Sequence, residues 1–327
     1  MHRLRTRPLR WLCSILLLLG CSVTASACSS ASAPALPGVT GAYGADPQIA
    51  VPGGNPPSGL VVRTLIQGTG PVIGASDLAL VYVEGKVWAG DREVFDSYTD
   101  RQPQSVPLAT GGVLPAWKQL AGQRVGSRVM MVVPPADGFG SQGNQQLNIA
   151  AGDTLVFVFD LLSTVSENAA AHGAAVPYHP AAGMPEVSVP TSGSGANAAP
   201  SEPKITVPAK ATPPSKLVVD TLIRGTGAPV TAGQTVVVQY TGVVWRSSQV
   251  FDSSYATQTP DSFVLGAGQV IPGWEQGLGG VTVGSRVLLI IPPALAYGDQ
   301  AEPPYIQDND TLVFVIDVID AYTPQTA

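Results

Sequence analysis

The sequence predicts an α+β chain with two tandem copies of one domain, each a curved antiparallel β-sheet wrapped around one short helix. Three observations lead there. The chain matches itself at an offset of 157 residues, Leu60-Val61-Val62-Arg63-Thr64-Leu65-Ile66-Gln67-Gly68-Thr69-Gly70 being answered by Leu217-Val218-Val219-Asp220-Thr221-Leu222-Ile223-Arg224-Gly225-Thr226-Gly227. The apolar residues of this unit fall in short β-branched runs bounded by Gly, Pro or Asp, which is how strands read. The unit offers a single helical candidate, and a short helix with one apolar stripe can bury it only against the sheet.

At 327 residues the chain holds two domains of ordinary size with connecting segments. Its 36 glycines, 30 prolines and 12% charged residues fit β-rich domains with many turns. The formal charge is −6, and about −10 once Arg3, Arg5, Arg7 and Arg10 are removed with a leader. That balance excludes nucleic acid as a partner. The cysteines, Cys13, Cys21 and Cys28, lie near the N-terminus and cannot staple a domain. His2, His172 and His179 fall outside the repeated units, which excludes a Ser-His-Asp triad, a Cys-His pair and most zinc sites. No cofactor or metal is implied.

In chain order, Arg3 to Arg10 form a basic n-region and Trp11 to Leu19 an apolar h-region of signal-peptide length. Export is expected, with residues 1–20 as the signal peptide. Leu18-Leu19-Gly20-Cys21 resembles a bacterial lipoprotein box, which makes Cys21 the lipidated first residue. Ala25-Ser26-Ala27-Cys28 is the alternative, extending the leader to 27 and moving the lipid to Cys28. The membrane is then reached only through an N-terminal lipid anchor on its outer face, with ordinary secretion as the remaining option.

Residues 21–58 are Ala/Pro/Gly/Ser-rich without periodicity, and a flexible stalk is expected. Domain 1 spans 59–165. Residues 166–214 repeat the stalk's composition, so a linker is expected that leaves the domains free to reorient, with His172 and His179 solvated. Domain 2 spans 215–323. The two copies share further blocks: Phe95-Asp96-Ser97 with Phe251-Asp252-Ser253, Val125-Gly126-Ser127-Arg128-Val129 with Val283-Gly284-Ser285-Arg286-Val287, and Asp153 to Val158 with the identical Asp310 to Val315. In the second copy, Thr235 to Tyr240, Arg286 to Ile291 and Thr311 to Asp320 read as strands. Pro272 to Leu278 is the helical candidate, with Pro first, Glu275 in the first turn, and Trp274 and Leu278 on one face.

Around that helix, Tyr240-Thr241-Gly242, Val250-Phe251-Asp252-Ser253-Ser254, Leu265-Gly266-Ala267-Gly268-Gln269-Val270-Ile271-Pro272-Gly273-Trp274, Ile291-Pro292-Pro293 and Ala296-Tyr297-Gly298 follow one another. In this order they resemble the signatures of FKBP-type peptidyl-prolyl cis-trans isomerases, over essentially all of Leu217 to Ala321. The resemblance implies two FKBP-like domains, proline-containing polypeptides as partners, and macrolides of the tacrolimus and rapamycin type as ligands. It implies Trp274 as the pocket floor, with Tyr240, Phe251, Phe263, Val270, Ile271 and Phe314 as walls and Ile306 lining from the loop after Tyr297. The Tyr297 hydroxyl and the Ile271 N–H would hold substrate carbonyls, and Asp252 would sit at the rim, paired with Tyr240. Taken singly, Trp274, Phe251 and Phe314 also read as core aromatics, Asp252 as a turn residue and Tyr297 as a loop tyrosine.

Rotating an amide requires about 18–20 kcal/mol because the planar form has C–N double-bond character. A dry aromatic pocket disfavours the charge-separated planar amide, and donors placed for the twisted carbonyl stabilise it. No general base is needed. The second copy departs from the resembled pattern at the rim, with Thr257 where arginine is common, Asp261 where an aromatic is common and Tyr305 where isoleucine is common. The first departs at the centre: Val83 stands for Tyr240, Phe139 for Tyr297 and Ala116 for Gly273, while Phe95, Asp96, Trp117 and Phe157 remain and Arg101 keeps a basic residue near the position of Thr257. The expectation is an isomerase assisting exported proteins, its activity carried mainly by domain 2. The rivals are a non-catalytic proline-segment binding or chaperone module at the cell surface and a cell-surface spacer.

Overall fold

The computed structural model describes residues 35–109, 114–188, 202–300 and 302–324. The leader and both candidate lipidation sites, Cys21 and Cys28, lie outside them. Chain order begins with a hairpin of β1 (Gly38–Thr40) and β2 (Gln48–Ala50). Domain 1 continues with β3 (Val61–Ile66), β4 (Leu78–Val87), β5 (Arg92–Asp96), β6 (Gln104–Pro107), β7 (Arg128–Val133) and β8 (Leu155–Val165). Between the domains lie β9 (Gly173–Ala175), β10 (Glu186–Ser188) and β11 (Lys204–Thr206). Domain 2 comprises β12 (Val218–Gly225), β13 (Thr235–Val244), β14 (Gln249–Ser253), α1 (Ser254–Thr257), β15 (Asp261–Val264), α2 (Pro272–Leu278), β16 (Arg286–Ile291) and β17 (Leu312–Tyr322).

Both sheets are antiparallel. Domain 1 runs β3-β7-β8-β4-β5 with β6 also on β4, and domain 2 runs β14-β13-β17-β16-β12-β9 with β15 also on β13. Helix α2 forms where Pro272 opens it. Its counterpart in domain 1, Pro115–Leu120, is a 3-10 turn instead. The two sites are packed differently. A Cβ on Gly273 would stand 2.4 Å from Ile291 Cγ2, whereas domain 1 has Ala116 with the smaller Val133 in the place of Ile291.

The central strands β4 and β13 are buried on both faces, which calls for a cover on each. One face carries the main core, around Leu120 and Phe157 in domain 1 and around Trp274 and Leu278 in domain 2. The other is covered by the segments expected to be irregular, and this corrects the stalk and the linker. In residues 35–58, β1 and β2 form a strap that buries Ile49 against Trp88, Met130, Val132, Val156 and Val158. In residues 166–214, β10 and β11 form a second strap that buries Ile205 and Val207 against Val243, Trp245, Leu288, Ile290 and Val313.

The straps are themselves a repeat. Ile49-Ala50-Val51-Pro52 answers Ile205-Thr206-Val207-Pro208, and Leu36-Pro37-Gly38-Val39 answers Met184-Pro185-Glu186-Val187. The indole N–H of Trp88 donates to Gly54 O at 3.0 Å, and that of Trp245 to Ala211 O at 3.0 Å. Buried ion pairs tie the first strap and the segment before β9 to the sheets. Arg128, paired with Asp160 at 2.7 Å, also donates to the carbonyls of Gly41 and Ala45. Asp317, paired with Arg286 at 2.5 Å, accepts from the Ala171 N–H at 2.8 Å. Strand β9 extends the domain 2 sheet, and His172, exposed as a solvated histidine should be, still donates its backbone N–H to Gly284 O at 2.9 Å.

The described residues all fall in one compact unit, which corrects the expectation of freely reorienting domains. Leu78, Leu80, Val165 and Val237 are buried together with Leu162, Ile319 and Tyr322 packed on them. The pairing is between equivalent positions: the hydroxyl of Ser105 meets that of Ser262, and Ser163 donates to Asp320 Oδ2 at 2.6 Å, each at a separation of 157 residues. Leu80 and Val237, and Leu162 and Ile319, are related by the same offset, so the interface is isologous within one chain.

Candidate functional site

On domain 2, aromatic side chains from four elements converge on Trp274. Its ring centroid lies 5.0 Å from Tyr240, 5.2 Å from Phe314 and 5.6 Å from Phe263, all near edge-on, and Phe251 stands 5.5 Å from Phe314. Backbone geometry makes room for them. A Cβ on Gly242 would lie 2.7 Å from Phe314 and 2.9 Å from Phe251, so only glycine lets β13 carry both rings at this point. On the other side, Glu275 in the first turn of α2 accepts from the Gly266 N–H at 2.5 Å and the Gly268 N–H at 3.0 Å. Gln269 Oε1 accepts from the Val264 N–H at 2.8 Å. Those bonds fix the loop that delivers Val270 and Ile271.

The result is a cavity of about 370 Å³ lined by Tyr240, Phe251, Asp252, Val270, Ile271, Trp274, Tyr297 and Phe314, together with Asp261 and Gln269. Two of the expected walls are elsewhere. Phe263 and Ile306 are buried in the same core as Trp274 and do not line the cavity, Phe263 packing edge-on to the indole. Asp261, expected at the rim, lines the cavity, and Gln269 was missed as a lining residue.

The polar groups are few. The Tyr240 hydroxyl donates to Asp252 Oδ2 at 2.5 Å. Burial, reinforced by that bond and by the charges of Asp252 and Asp261, raises the Tyr240 pKa and keeps the phenol protonated. The Tyr297 pKa is raised as well, by burial first and then by Glu302 and Asp252, so its hydroxyl remains a donor. Neither that hydroxyl nor the Ile271 N–H donates a hydrogen bond among the described residues. The cavity therefore offers aromatic walls, two free donors and no nucleophile. A larger cavity of about 440 Å³ lies under the second strap, but its Arg246 is held by Asp310 at 2.9 Å and it lacks convergent aromatic walls.

Domain 1 keeps Trp117 at the centre, with Phe157 and Phe159 each 5.3 Å away and Phe95 at 6.3 Å. The ring that replaces Tyr240 comes from the neighbouring strand. Val83 is opposite Phe159 in the β4–β8 register, and Tyr240 is opposite Ile316 in the β13–β17 register. The aromatic and the aliphatic have exchanged strands, and the hydroxyl has gone with the exchange. Without it, Asp96 accepts from the Tyr98 and Thr99 backbone N–H groups at 2.7 and 3.3 Å and from the Thr99 hydroxyl. Phe139, in the place of Tyr297, packs against the core.

The family model described as FKBP-type peptidyl-prolyl cis-trans isomerase matches residues 71–162 and 227–319. An FK506-binding protein of Streptomyces anulatus is 47% identical over 108 residues, 33% of this chain and 87% of that protein. The peptidyl-prolyl cis-trans isomerase FPR2 of Saccharomyces cerevisiae is 46% identical over 88 residues, 27% of this chain and 65% of that protein. Among solved structures, AtFKBP13 is similar with a TM-score of 0.31 and 34% identity over 33% of this chain and 94% of that one. FkpA from Escherichia coli is similar with a TM-score of 0.32 and 37% identity over 35% of this chain and 52% of that one. Two matches to one family model, each over a sheet with an aromatic cluster at its centre, make this chain a member of the FKBP-type peptidyl-prolyl cis-trans isomerases that carries the family's domain twice.

Proposed function

We propose that domain 2 carries the isomerase activity, that it acts on proline-containing segments of exported polypeptides, and that a lipid on Cys21, or on Cys28, tethers the protein to the outer face of the membrane. The observation that supports it most is the cavity of domain 2, where the Tyr240–Asp252 pair and the Tyr297 hydroxyl stand among aromatic walls. A proline ring enters over Trp274. The walls exclude water, so the planar amide loses the solvent that stabilises its charge separation. The Ile271 N–H and the Tyr297 hydroxyl donate to substrate carbonyls and hold the chain while the C–N bond turns. No bond is made or broken, and no proton moves. In domain 1 the exchanged Val83–Phe159 pair lacks the Tyr240 hydroxyl and Phe139 lacks that of Tyr297, which supports a binding role with weak or no catalysis. The basic leader and the Cys21 motif support export and anchoring.

Because the domains pack on each other, the test uses the full chain. Magnetisation exchange on a short Xaa-Pro peptide is expected to show catalysis that falls roughly tenfold in Tyr297→Phe, which loses a donor to a substrate carbonyl, and in Asp252→Ala, which releases the Tyr240 hydroxyl from its place in the wall. Rates unchanged in both variants would move the activity away from domain 2. In cells, Cys21→Ser releases the protein from membranes if Cys21 carries the lipid, and Cys28→Ser does so in the alternative.

A further inference from the structure

The mouth of the domain 2 cavity carries charge of one sign. Asp252 and Asp261 both line it, and no lysine or arginine does. Each carboxylate has one oxygen committed, Asp252 Oδ2 to the Tyr240 hydroxyl at 2.5 Å and Asp261 Oδ1 to the Ser262 N–H at 2.7 Å. Their other oxygens take no hydrogen bond among the described residues. Glu302 adds a third negative charge close enough to act on the Tyr297 hydroxyl. The arginines nearest in sequence to pocket residues are engaged, Arg246 with Asp310 at 2.9 Å and Arg286 with Asp317 at 2.5 Å.

Domain 1 is the internal contrast. Gln104 holds the register position of Asp261, opposite Val81 as Asp261 is opposite Val238, and both oxygens of Asp96 are taken by Tyr98 and Thr99. Asp261 is also firmly placed. Its strand β15 is paired to β13, and the next residue, Ser262, meets Ser105 across the domain interface.

We propose that Asp261 is a specificity-determining residue, which makes domain 2 prefer prolines flanked by lysine or arginine. This rests on the reading of the domain 2 cavity as the proline site. The aromatic walls take the ring and are indifferent to charge, so the discrimination belongs to the mouth. An approaching cation meets uncompensated carboxylate oxygens, and an approaching carboxylate meets like charge with no counter-ion in the lining. Desolvation at the mouth and the charge of Asp252 hold the Asp261 carboxyl above its ordinary pKa against the opposing Ser262 N–H bond.

The experiment uses the full chain and peptides of equal length with Lys, Gln or Glu immediately before or after the proline. Isomerisation is read by magnetisation exchange and binding by chemical-shift titration. The expected order in kcat/KM and in affinity is Lys above Gln above Glu, with a Lys-to-Glu ratio of roughly tenfold at low salt that shrinks in about 0.5 M salt. Asp261→Asn brings the ratio toward one, and Asp261→Lys reverses it. A ratio near one in the unsubstituted protein, with the Gln peptide isomerised, overturns the preference and leaves the isomerase reading intact. A ratio that persists in Asp261→Asn overturns the role of Asp261. If the Gln peptide binds but is not isomerised, the catalytic reading fails while the order of affinities still decides the preference, and failure of all three peptides to bind overturns both.

Discussion

The exchange of Tyr240 and Ile316 for Val83 and Phe159 lets one domain keep a ring against its central tryptophan without the hydroxyl that the other presents. Both pairs place one ring against the central tryptophan, and only one brings a hydroxyl to Asp252. The exchange should be strongly coupled. Val83→Tyr alone puts two rings where one fits and is expected to destabilise by about 1–3 kcal/mol. Phe159→Ile alone opens a cavity beside Trp117 and destabilises by a similar amount, about 1–3 kcal/mol. The double variant should recover much of the sum, giving a coupling of at least about 1 kcal/mol in denaturant titrations. Strict additivity would refute the exchange. The pocket residues Tyr240, Asp252, Trp274 and Tyr297 were legible in the sequence because their order along the chain is the signal. Phe159 was not, because its partner Val83 lies 76 positions away and only the strand register makes them neighbours. Phe263 and Ile306 were legible as apolar neighbours of Trp274, but linear order does not say whether a buried ring faces a cavity or backs it.

The straps explain why the back of each sheet can be as apolar as the front. Their strands are three residues long, too short to show an alternation, and they sit among Pro, Gly and Ala. Hence composition pointed to stalk and linker. The signal that would have found them was the repeat itself, since Ile-x-Val-Pro recurs before each domain. Glu84 reports on the first strap. It is buried on β4, one of its oxygens has no hydrogen-bond partner among the described residues, and its Lys86 contact is long at 3.8 Å. Burial above all, then Asp46 on the strap, Glu93 and Asp96, lift its pKa from 4.5 to about 8 against the opposing pull of Lys86. The folded protein therefore holds a proton that the unfolded chain releases between pH 4.5 and 8, and stability falls as pH rises through that window. Glu84→Gln should raise the melting temperature at pH 8 and leave it nearly unchanged at pH 4.5, flattening the profile by at least about 1 kcal/mol. An equal effect at both pH values would count against a neutral Glu84.

The two domains behave as one body because equivalent faces meet. Leu80 and Val237 are central to that contact and point away from their own domain cores. Calorimetry is expected to show one cooperative transition for the full chain. The pair Leu80→Ser and Val237→Ser should split it into two, separated by about 5 °C or more. Two transitions in the unsubstituted chain would mean that the interface transmits nothing. The tandem repeat was plain from the offset of 157, but the packing was not, since a linker's composition does not reveal what the faces beside it do.

Joining the two halves in one chain has a consequence for their divergence. A homodimer presents every change twice, so an aspartate at position 320 would face its own copy across the axis and repel it. Here Asp320 faces Ser163 and receives a hydrogen bond. Covalent linkage thus frees each half to differ alone, and a domain without the tyrosine hydroxyl still supplies the face on which its neighbour packs.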